Sequence, residues 1–279
     1  MAAVLRVASL QTCSGLHVAD NIAMAEPMVR QAADRGASLI VTPEMVAGLV
    51  RGRSRALETA LPEEGHPFLE AACGWARELG VTILLGSMAI AIGSERLANR
   101  SFLIGPDGIV ARYDKIHMFD VTLPDGEVFR ESDTYRPGDR AVVAPTPWAP
   151  IGLTICYDIR FPYLYRGLSK AGARIITVPS AFTRPTGAAH WHVLNRARAI
   201  ETGCFILAPA QTGDHEGGRQ TYGHSLVIDP WGEVLADMGP EPGLCLSDLD
   251  LGAVDRAREM IPSLSHERLY HPAGARGDA

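Results

Sequence analysis

The chain has 279 residues, of which 47% are hydrophobic, and a formal net charge of −6 at pH 7. Charges of both signs are scattered along it without a basic stripe, which argues against nucleic acid as a partner. No stretch of 18 apolar residues is free of charge, so the sequence predicts no membrane span.

The first half of the chain predicts two helices among five strands. Short apolar runs bounded by turn residues indicate strands at residues 4–11, 38–42, 81–85, 100–104 and 109–113. Asp20 or Asn21 can cap a helix that Gly36 ends, and Pro27 predicts a kink in this helix or a late start. Apolar residues at helical spacing predict a second helix at 67–79. A Gly-Pro-Asp-Gly turn joins the last two strands as a hairpin.

The second half repeats this alternation after a loop at 120–140 that is rich in turn formers. A loop of this length in a compact domain is usually functional or disordered. Strands are predicted at residues 141–144, 151–155, 175–178, 204–207, 222–229, 233–236 and 244–249, and helices at 162–171, 190–201 and 251–260. The alternation predicts an α/β fold with a mixed sheet and outer helices. We expect one domain over residues 1–279, with an extended tail from about 262.

The cysteines and the amino-terminal residues predict a cytoplasmic protein. The cysteines are Cys13, Cys73, Cys156, Cys204 and Cys245. They are odd in number, widely spaced and without a Cys-x-x-Cys pair, which predicts reduced thiols rather than disulfides or a zinc site. The first six residues have no basic region followed by a long apolar run, so we expect no secretory signal.

Cys156 lies where a predicted strand runs into a turn and then into a helix that Pro162 opens. In open α/β sheets this edge binds ligands, and backbone N–H groups there can stabilise negative charge. A cysteine at the end of an apolar strand is also commonly a small core residue. This stretch alone therefore leaves both interpretations open.

Two charged residues, Glu44 and Lys115, also follow predicted strands. A thiol needs a base because only the thiolate attacks, and a cation can stabilise a developing oxyanion. Taken singly, Glu44 can cap a helix and Lys115 can be a solvated hairpin end. Their joint placement with Cys156 favours a catalytic site, although spacing alone does not establish a triad.

Resemblance to a known family adds what spacing cannot. Three segments, Thr42-Pro43-Glu44, Tyr113 to His117 and Thr154 to Pro162, resemble in order the signature segments of the nitrilase superfamily, the carbon–nitrogen hydrolases. The likeness continues through Glu131-Ser132, Pro179 to Thr183, Arg196 to Glu201 and Tyr222 to Gly232, and so covers nearly the whole chain.

The resemblance implies a four-layer α-β-β-α sandwich with mixed sheets, which commonly forms homodimers or higher homo-oligomers. Glu44 would be the general base, Lys115 the oxyanion stabiliser and Cys156 the nucleophile. Glu131 matches a second glutamate that orients the site, and the backbone N–H of Tyr157 would help to hold the oxyanion. The implied reaction hydrolyses an amide through a cysteine thioester to a carboxylic acid and ammonia, without metal or cofactor.

The residues after the cysteine resemble the amidase branch, because true nitrilases usually have Trp-Glu where this chain has Tyr157-Asp158. The implied substrate is a small amide that carries a carboxylate. The segment from Tyr222 to Gly232, preceded by Gln211 and Arg219, resembles enzymes that act on deaminated glutathione. Omega-amidases, which act on 2-oxoglutaramate-type acids, and N-carbamoyl amino acid hydrolases are the alternatives.

A substrate carboxylate needs a cationic partner, and we predict that Arg160 or Arg184 supplies it. Both lie near the predicted rim of the site, one after the cysteine and the other in the loop after the next strand. Arginines also pair structurally with carboxylates of the protein, so bracing of the fold is the competing interpretation.

Three rival functions remain open. A papain-like hydrolase would need a histidine base, for which the candidates are His117, His190, His192 and His224, but no local signature of that class is present. A zinc hydrolase on His190 and His192 is disfavoured, since residues two apart on a helix do not share a face. A non-catalytic scaffold that binds partners is the alternative from another class, against which the intact Glu-Lys-Cys set argues.

Overall fold

Sixteen strands and six α-helices make up the fold in a computed structural model that describes residues 4–123 and 126–270. In chain order they are β1 (Val4–Gln11), α1 (Val18–Asp34), β2 (Leu39–Val41), α2 (Arg53–Thr59), α3 (Pro67–Leu79), β3 (Thr82–Ala91), β4 (Leu97–Gly105), β5 (Gly108–Asp114), β6 (Asp120–Thr122), β7 (Val128–Arg130), β8 (Val142–Ala144), β9 (Ile151–Leu153), α4 (Pro162–Lys170), β10 (Ile175–Thr177), α5 (Arg184–Thr202), β11 (Phe205–Ala208), β12 (Thr212–Asp214), β13 (Gln220–Tyr222), β14 (Leu226–Ile228), β15 (Val234–Asp237), β16 (Gly243–Asp250) and α6 (Gly252–Met260).

Two six-stranded mixed sheets form the centre of the molecule. The first has the order β16-β1-β2-β3-β4-β5 and the second the order β15-β14-β11-β10-β9-β8. Each sheet has three parallel strands in its middle, β1-β2-β3 or β9-β10-β11, and antiparallel strands at both sides. The carboxyl ends of parallel strands meet at one edge of a sheet, which is where chemistry-bearing residues are expected.

The alternation of side chains along the strands separates the layers. In β2, Leu39 and Val41 belong to a core that reaches the second sheet, whereas Ile40 packs with the helices on the outer face. Successive strand residues point to opposite faces, so one short strand serves both layers. Helices α1 and α3 cover the first sheet and α4 and α5 the second, which confirms the four-layer α-β-β-α sandwich.

Several element boundaries depart from the sequence prediction. The expected cap of α1 at Asp20 or Asn21 is wrong, because the helix begins at Val18 and keeps Pro27 in its interior. Asn21 is buried, accepts a hydrogen bond from Gly15 and donates one to the Ala47 carbonyl, so it ties two loops together instead.

The helix predicted at 190–201 begins six residues earlier, at Arg184, followed by a proline in its first turn. Helix α2 was not predicted. The long loop at 120–140 contains the hairpin β6–β7 and a 3₁₀ turn at Glu131–Asp133. Helix α3, by contrast, has the predicted bounds and ends at Gly80, whose φ of 65° favours glycine.

The carboxyl-terminal residues leave the sandwich. Residues 262–270 form neither helix nor strand, as predicted for a tail, and residues 271–279 lie outside the described part of the chain. No helix within the described ranges combines the length and the apolar character that crossing a membrane requires.

Candidate active site

Cys156 lies at a sharp turn between β9 and α4. Its φ of 49° is in the left-handed region, which non-glycine residues seldom adopt. Its N–H donates a 2.9 Å hydrogen bond to the Pro179 carbonyl, and its side chain is buried. Unfavourable backbone conformations persist where surrounding contacts hold them, and they cluster at functional sites.

The Asp158 carboxylate holds this turn against the strand end that carries Lys115. It is fully buried and accepts hydrogen bonds from the Ile155 N–H at 2.9 Å and the Tyr113 hydroxyl at 2.7 Å. Its other oxygen accepts from the N–H of His117 at 3.0 Å and lies 2.7 Å from Nδ1 of that residue. The sequence analysis gave Asp158 no role, although an acid inside an apolar turn must find partners.

Lys115 lies between two carboxylates. Its Nζ is 3.0 Å from Oε1 of Glu44 and donates to both oxygens of Glu131 at 2.8 and 3.0 Å. Asn99 bridges the same two acids, with Nδ2 at 2.9 Å from Glu44 and 3.1 Å from Glu131. The second Glu44 oxygen accepts from the Ala181 N–H at 2.8 Å. The sequence gave no signal for Asn99, which comes from the middle of β4.

The charges in this cluster stabilise one another. Burial by itself would raise the pKa of Glu44, but the positive charges of Lys115 and Arg219 together lower it below its ordinary value. Burial likewise opposes the charged form of Lys115, and the carboxylates of Glu131 and Glu44 nevertheless raise its pKa well above the usual range. The site therefore contains an ammonium group and the Glu44 carboxylate at neutral pH.

The thiol of Cys156 adjoins this cluster. Burial, followed by the negative charge of Glu44, raises its pKa to about 12, while Lys115 partly offsets both effects. A hydrogen bond between the thiol and Glu44 acts in the same direction as that negative charge. The resting protein therefore holds a neutral thiol beside a carboxylate, and the structure brings Glu44, Lys115, Glu131 and Cys156 together as predicted.

These four side chains open into a cleft of about 350 Å³. Aromatic residues form part of its wall, namely Phe119, Phe129, Tyr135, Tyr157 and Phe182. Among the described residues no acceptor is found for the N–H of Tyr157, whereas the N–H groups of Cys156 and Asp158 bind carbonyl oxygens of the protein. A free donor beside the thiol is what an oxyanion requires.

The two arginines predicted to bind substrate lie in different places. Arg184 is exposed and pairs with Asp214 at 3.0 Å, away from the cleft wall. Arg160 lies directly behind the wall, with its guanidinium carbon 5.7 Å from the Tyr157 ring centre and 5.6 Å from that of Phe182. Its Nη2 is 3.2 Å from Nδ1 of His190.

Four other arginines line the cleft itself, namely Arg51, Arg53, Arg130 and Arg219. Arg51 pairs with Glu127 at 2.8 Å, whereas the other three donate to backbone carbonyls and form no salt bridge with a carboxylate within the described ranges. Arg219 lies deepest, since its Nη2 is 2.6 Å from the Ala181 carbonyl, in the residue whose N–H binds Glu44.

The histidines offer no base to the thiol. None of the described residues that line the cleft is a histidine. His117 is held by Asp158 and, through Nε2, by the Tyr163 hydroxyl at 2.9 Å. His190 and His192 have separate partners, Arg160 and Asp237, so they do not share a metal site, as their spacing on the helix indicated.

Comparison with known proteins identifies the family. The family model described as carbon-nitrogen hydrolase matches residues 6–259. The chain belongs to the carbon–nitrogen hydrolase family. This carbon–nitrogen hydrolase is 41% identical over 265 residues to the deaminated glutathione amidase of Synechocystis sp., a match that covers 93% of this chain and 96% of the relative.

Two solved structures support the fold assignment. The NitFhit protein of C. elegans matches with a TM-score of 0.89 and 35% identity, over 96% of this chain and 66% of that one. An amidase of Nesterenkonia sp., solved as a glutamate-to-glutamine mutant after Michael addition of acrylamide to its active site cysteine, matches with a TM-score of 0.77 and 25% identity, over 92% and 98%. As a carbon–nitrogen hydrolase, the chain is a hydrolase of non-peptide amide bonds.

Proposed function

We propose that this protein hydrolyses deaminated glutathione, through a thioester on Cys156. The observation that carries the proposal is the convergence of Glu44, Lys115 and Cys156 in one cleft of a chain whose relatives include deaminated glutathione amidases. The cysteine named as the active site residue of the Nesterenkonia amidase supports a cysteine nucleophile here.

The charge states of the site define the order of events. The Cys156 thiol is neutral at rest, because its pKa is about 12, and Glu44 is ionised. Glu44 therefore accepts the thiol proton as sulfur attacks the amide carbonyl, rather than before the substrate binds. The protonated Glu44 then gives that proton to the departing amine, and a thioester remains on Cys156. Water that Glu44 deprotonates attacks the thioester and releases the acid and the thiol.

The negative charge that develops on the carbonyl oxygen needs two donors. We infer that Lys115 and the free N–H of Tyr157 supply them. Donors aimed at such an oxyanion are typically worth about 3–4 kcal/mol each in removal experiments. Glu131 positions Lys115, since it accepts two hydrogen bonds from Nζ and is itself held by the Phe119 N–H at 2.7 Å.

The charge of the cleft fits the charge of this substrate. Glutathione without its free amino group has carboxylates at both ends and no positive charge. Arg53, Arg130 and Arg219 present guanidinium groups that form no salt bridge with a carboxylate within the described part of the chain. We propose that Arg219 binds one substrate carboxylate, and that Arg160 behind the wall contributes to its field.

The leaving group distinguishes the candidate substrates. Both amides of deaminated glutathione are secondary, so its hydrolysis releases an amine, whereas 2-oxoglutaramate, a primary amide, releases ammonia. The test measures amine and ammonia release from deaminated glutathione, 2-oxoglutaramate, a carbamoyl amino acid and an aliphatic nitrile. We expect the highest kcat/KM for deaminated glutathione. A higher kcat/KM for 2-oxoglutaramate would favour an omega-amidase, and no turnover of any of the four would favour a scaffold.

We infer further that the protein acts as a homodimer or higher homo-oligomer in the cytoplasm, with residues 1–279 as one domain. All five cysteines are unpaired, which fits a reducing compartment. Apolar side chains are exposed along the outer helices of the second sheet, including Tyr163, Val193 and Ile200, where a second copy would cover them. Light scattering after gel filtration tests the oligomer, and a mass of one chain would contradict it.

A further inference from the structure

Two histidines and an aspartate converge outside the cleft, and we propose that they form a binding site for a divalent transition-metal ion such as Zn²⁺. His192 comes from α5, His224 from the segment between β13 and β14, and Asp237 from the end of β15. One ligand atom from each of the three lies within 4.8 Å of the other two. None of the three lines the catalytic cleft.

The donor set has the chemistry that zinc selects. The Asp237 carboxylate lies 3.0 Å from Nε2 of His192 and 2.8 Å from Nδ1 of His224. Imidazole nitrogens and a carboxylate oxygen are common zinc ligands, with bonds of about 2.0–2.2 Å and ligand atoms about 3.3 Å apart in a tetrahedron. Small side-chain rotations reach this spacing. Three protein ligands would leave a fourth position for water or another donor.

The backbone at His224 holds its ring toward the other two ligands. Its φ of 56° is left-handed, and the only other non-glycine residues with positive φ in the described ranges, Met45 and Cys156, line the catalytic cleft. The His224 N–H donates to the Gly239 carbonyl at 2.8 Å, and its own carbonyl accepts from the Trp191 indole at 2.7 Å. Such a conformation is held by its surroundings and is typical of functional positions.

The remaining contacts position the carboxylate and leave its charge unmatched. Asp237 accepts a 2.9 Å hydrogen bond from the Gly239 N–H, which fixes one of its oxygens. No lysine or arginine pairs with Asp237 among residues 4–123 and 126–270. With neutral imidazoles the cluster therefore carries one negative charge, which a cation would neutralise. The side chains are 25–34% exposed, so an ion can enter from solvent.

The Tyr222 ring stacks on His224, with ring centres 4.5 Å apart and planes at 20°. It thus shields one side of the cluster from water and keeps the imidazole plane fixed. A bound ion would link the outer helix α5 to two segments beside the edge of the second sheet. The expected consequence is a higher thermal stability of the metal-loaded protein, because a ligand that binds only the folded state stabilises it.

The test is equilibrium dialysis of the full chain against Zn²⁺ with the metal counted per protomer. Cys156→Ser serves as the background, so that the active site thiol cannot bind the ion. We expect about one equivalent, a rise in melting temperature, and weaker binding by at least about 10-fold in His192→Gln, since even outer-shell changes cost about 10–100-fold. His190→Gln, two residues away on the same helix, is the matched control and should bind zinc like the background protein.

Asp237→Asn and the spectrum of the Co²⁺-loaded protein guard against misfolding and against thiol ligation. Asp237→Asn keeps an oxygen for the Gly239 N–H but removes the charge, and we expect it to lose zinc as His192→Gln does. The cobalt spectrum should lack the charge-transfer band that a thiolate ligand gives. Zinc bound equally well by His192→Gln and the background, or no zinc bound by either, would overturn the proposal.

Discussion

The Tyr113 hydroxyl donates a 2.7 Å hydrogen bond to the Asp158 carboxylate, and this bond joins the strand that leads to Lys115 to the turn that carries Cys156. Both side chains are buried. The nucleophile and the ammonium group come from different sheets, so their relative position depends on this contact between the layers.

We predict that Tyr113→Phe lowers both stability and turnover. The variant leaves Asp158 with one hydrogen bond fewer in a buried site, which costs about 1–3 kcal/mol of unfolding free energy. Denaturant unfolding measures the loss, and kcat at saturating substrate measures the displacement of the turn. Tyr165→Phe is the control, because it removes a buried hydroxyl that bonds Thr154 at 2.8 Å instead of Asp158. Equal kcat values for the two variants would contradict a positioning role of Asp158.

Glu44→Gln separates the basicity of the site from thiol reactivity. The Glu44 charge is one cause of the raised pKa of Cys156, so its removal lowers that pKa. We expect faster alkylation of Cys156 by iodoacetamide at neutral pH, together with a loss of hydrolysis of at least about 100-fold, the lower end of what a general base contributes. Slower alkylation in Glu44→Gln would show that the carboxylate activates the resting thiol.

The pH profile should report the lowered pKa of Glu44. Because the folded protein holds this pKa below its ordinary value, the carboxylate and the stability it contributes persist above that ordinary value and are lost as the pH falls through the lowered one. We expect the acid limb of kcat/KM at a pH below 4.5, the ordinary value for this carboxyl. Arg219→Met should move that limb upward, since the Arg219 charge lowers the pKa of Glu44.

Lys115→Met should be more harmful than the loss of its positive charge in solution would indicate. It leaves Glu44 and Glu131 as neighbouring buried carboxylates without their cation, and removal of one partner of a buried pair costs about 3–5 kcal/mol. The double variant Lys115→Met with Glu131→Gln restores part of the stability but not the activity. Recovery of activity in the double variant would exclude Lys115 as the oxyanion donor.

The two arginines predicted from the sequence now give different expectations. Arg160 lies behind Tyr157 and Phe182, whereas Arg184 is engaged with Asp214 at the surface. Arg160→Met should raise KM for deaminated glutathione by about 10-fold, the effect of losing one charge-assisted contact of about 1.4 kcal/mol. Arg184→Met should leave KM unchanged. A larger rise in KM for Arg184→Met would reverse this assignment.

The sequence predicted the core of the site because its residues follow strand ends. Glu44, Lys115 and Cys156 each follow a strand of apolar residues, and the family signatures around them fixed their order. Asn99 could not be found in this way, because it lies inside β4 and only the register of β4 on its neighbours turns it toward Glu44. Long-range register is set by packing, which no local pattern encodes.

The same limit applies to the substrate side of the cleft. Arg219 reaches the site from a segment between two short strands, β12 and β13, and Arg53 comes from a helix that the sequence did not predict. Proximity along the chain favoured Arg160 and Arg184, while proximity in the folded molecule brings Arg219 to Glu44. Local spacing therefore predicts the reacting groups better than the groups that recognise the substrate.

Mass spectrometry of the protein quenched in acid during turnover of deaminated glutathione tests the central claim most directly. The account predicts an acyl group on the peptide that contains Cys156, which disappears when substrate is exhausted and is absent in Glu44→Gln. Continued hydrolysis by Cys156→Ala, or turnover by the native protein without an acyl group on Cys156 at any time, would contradict it.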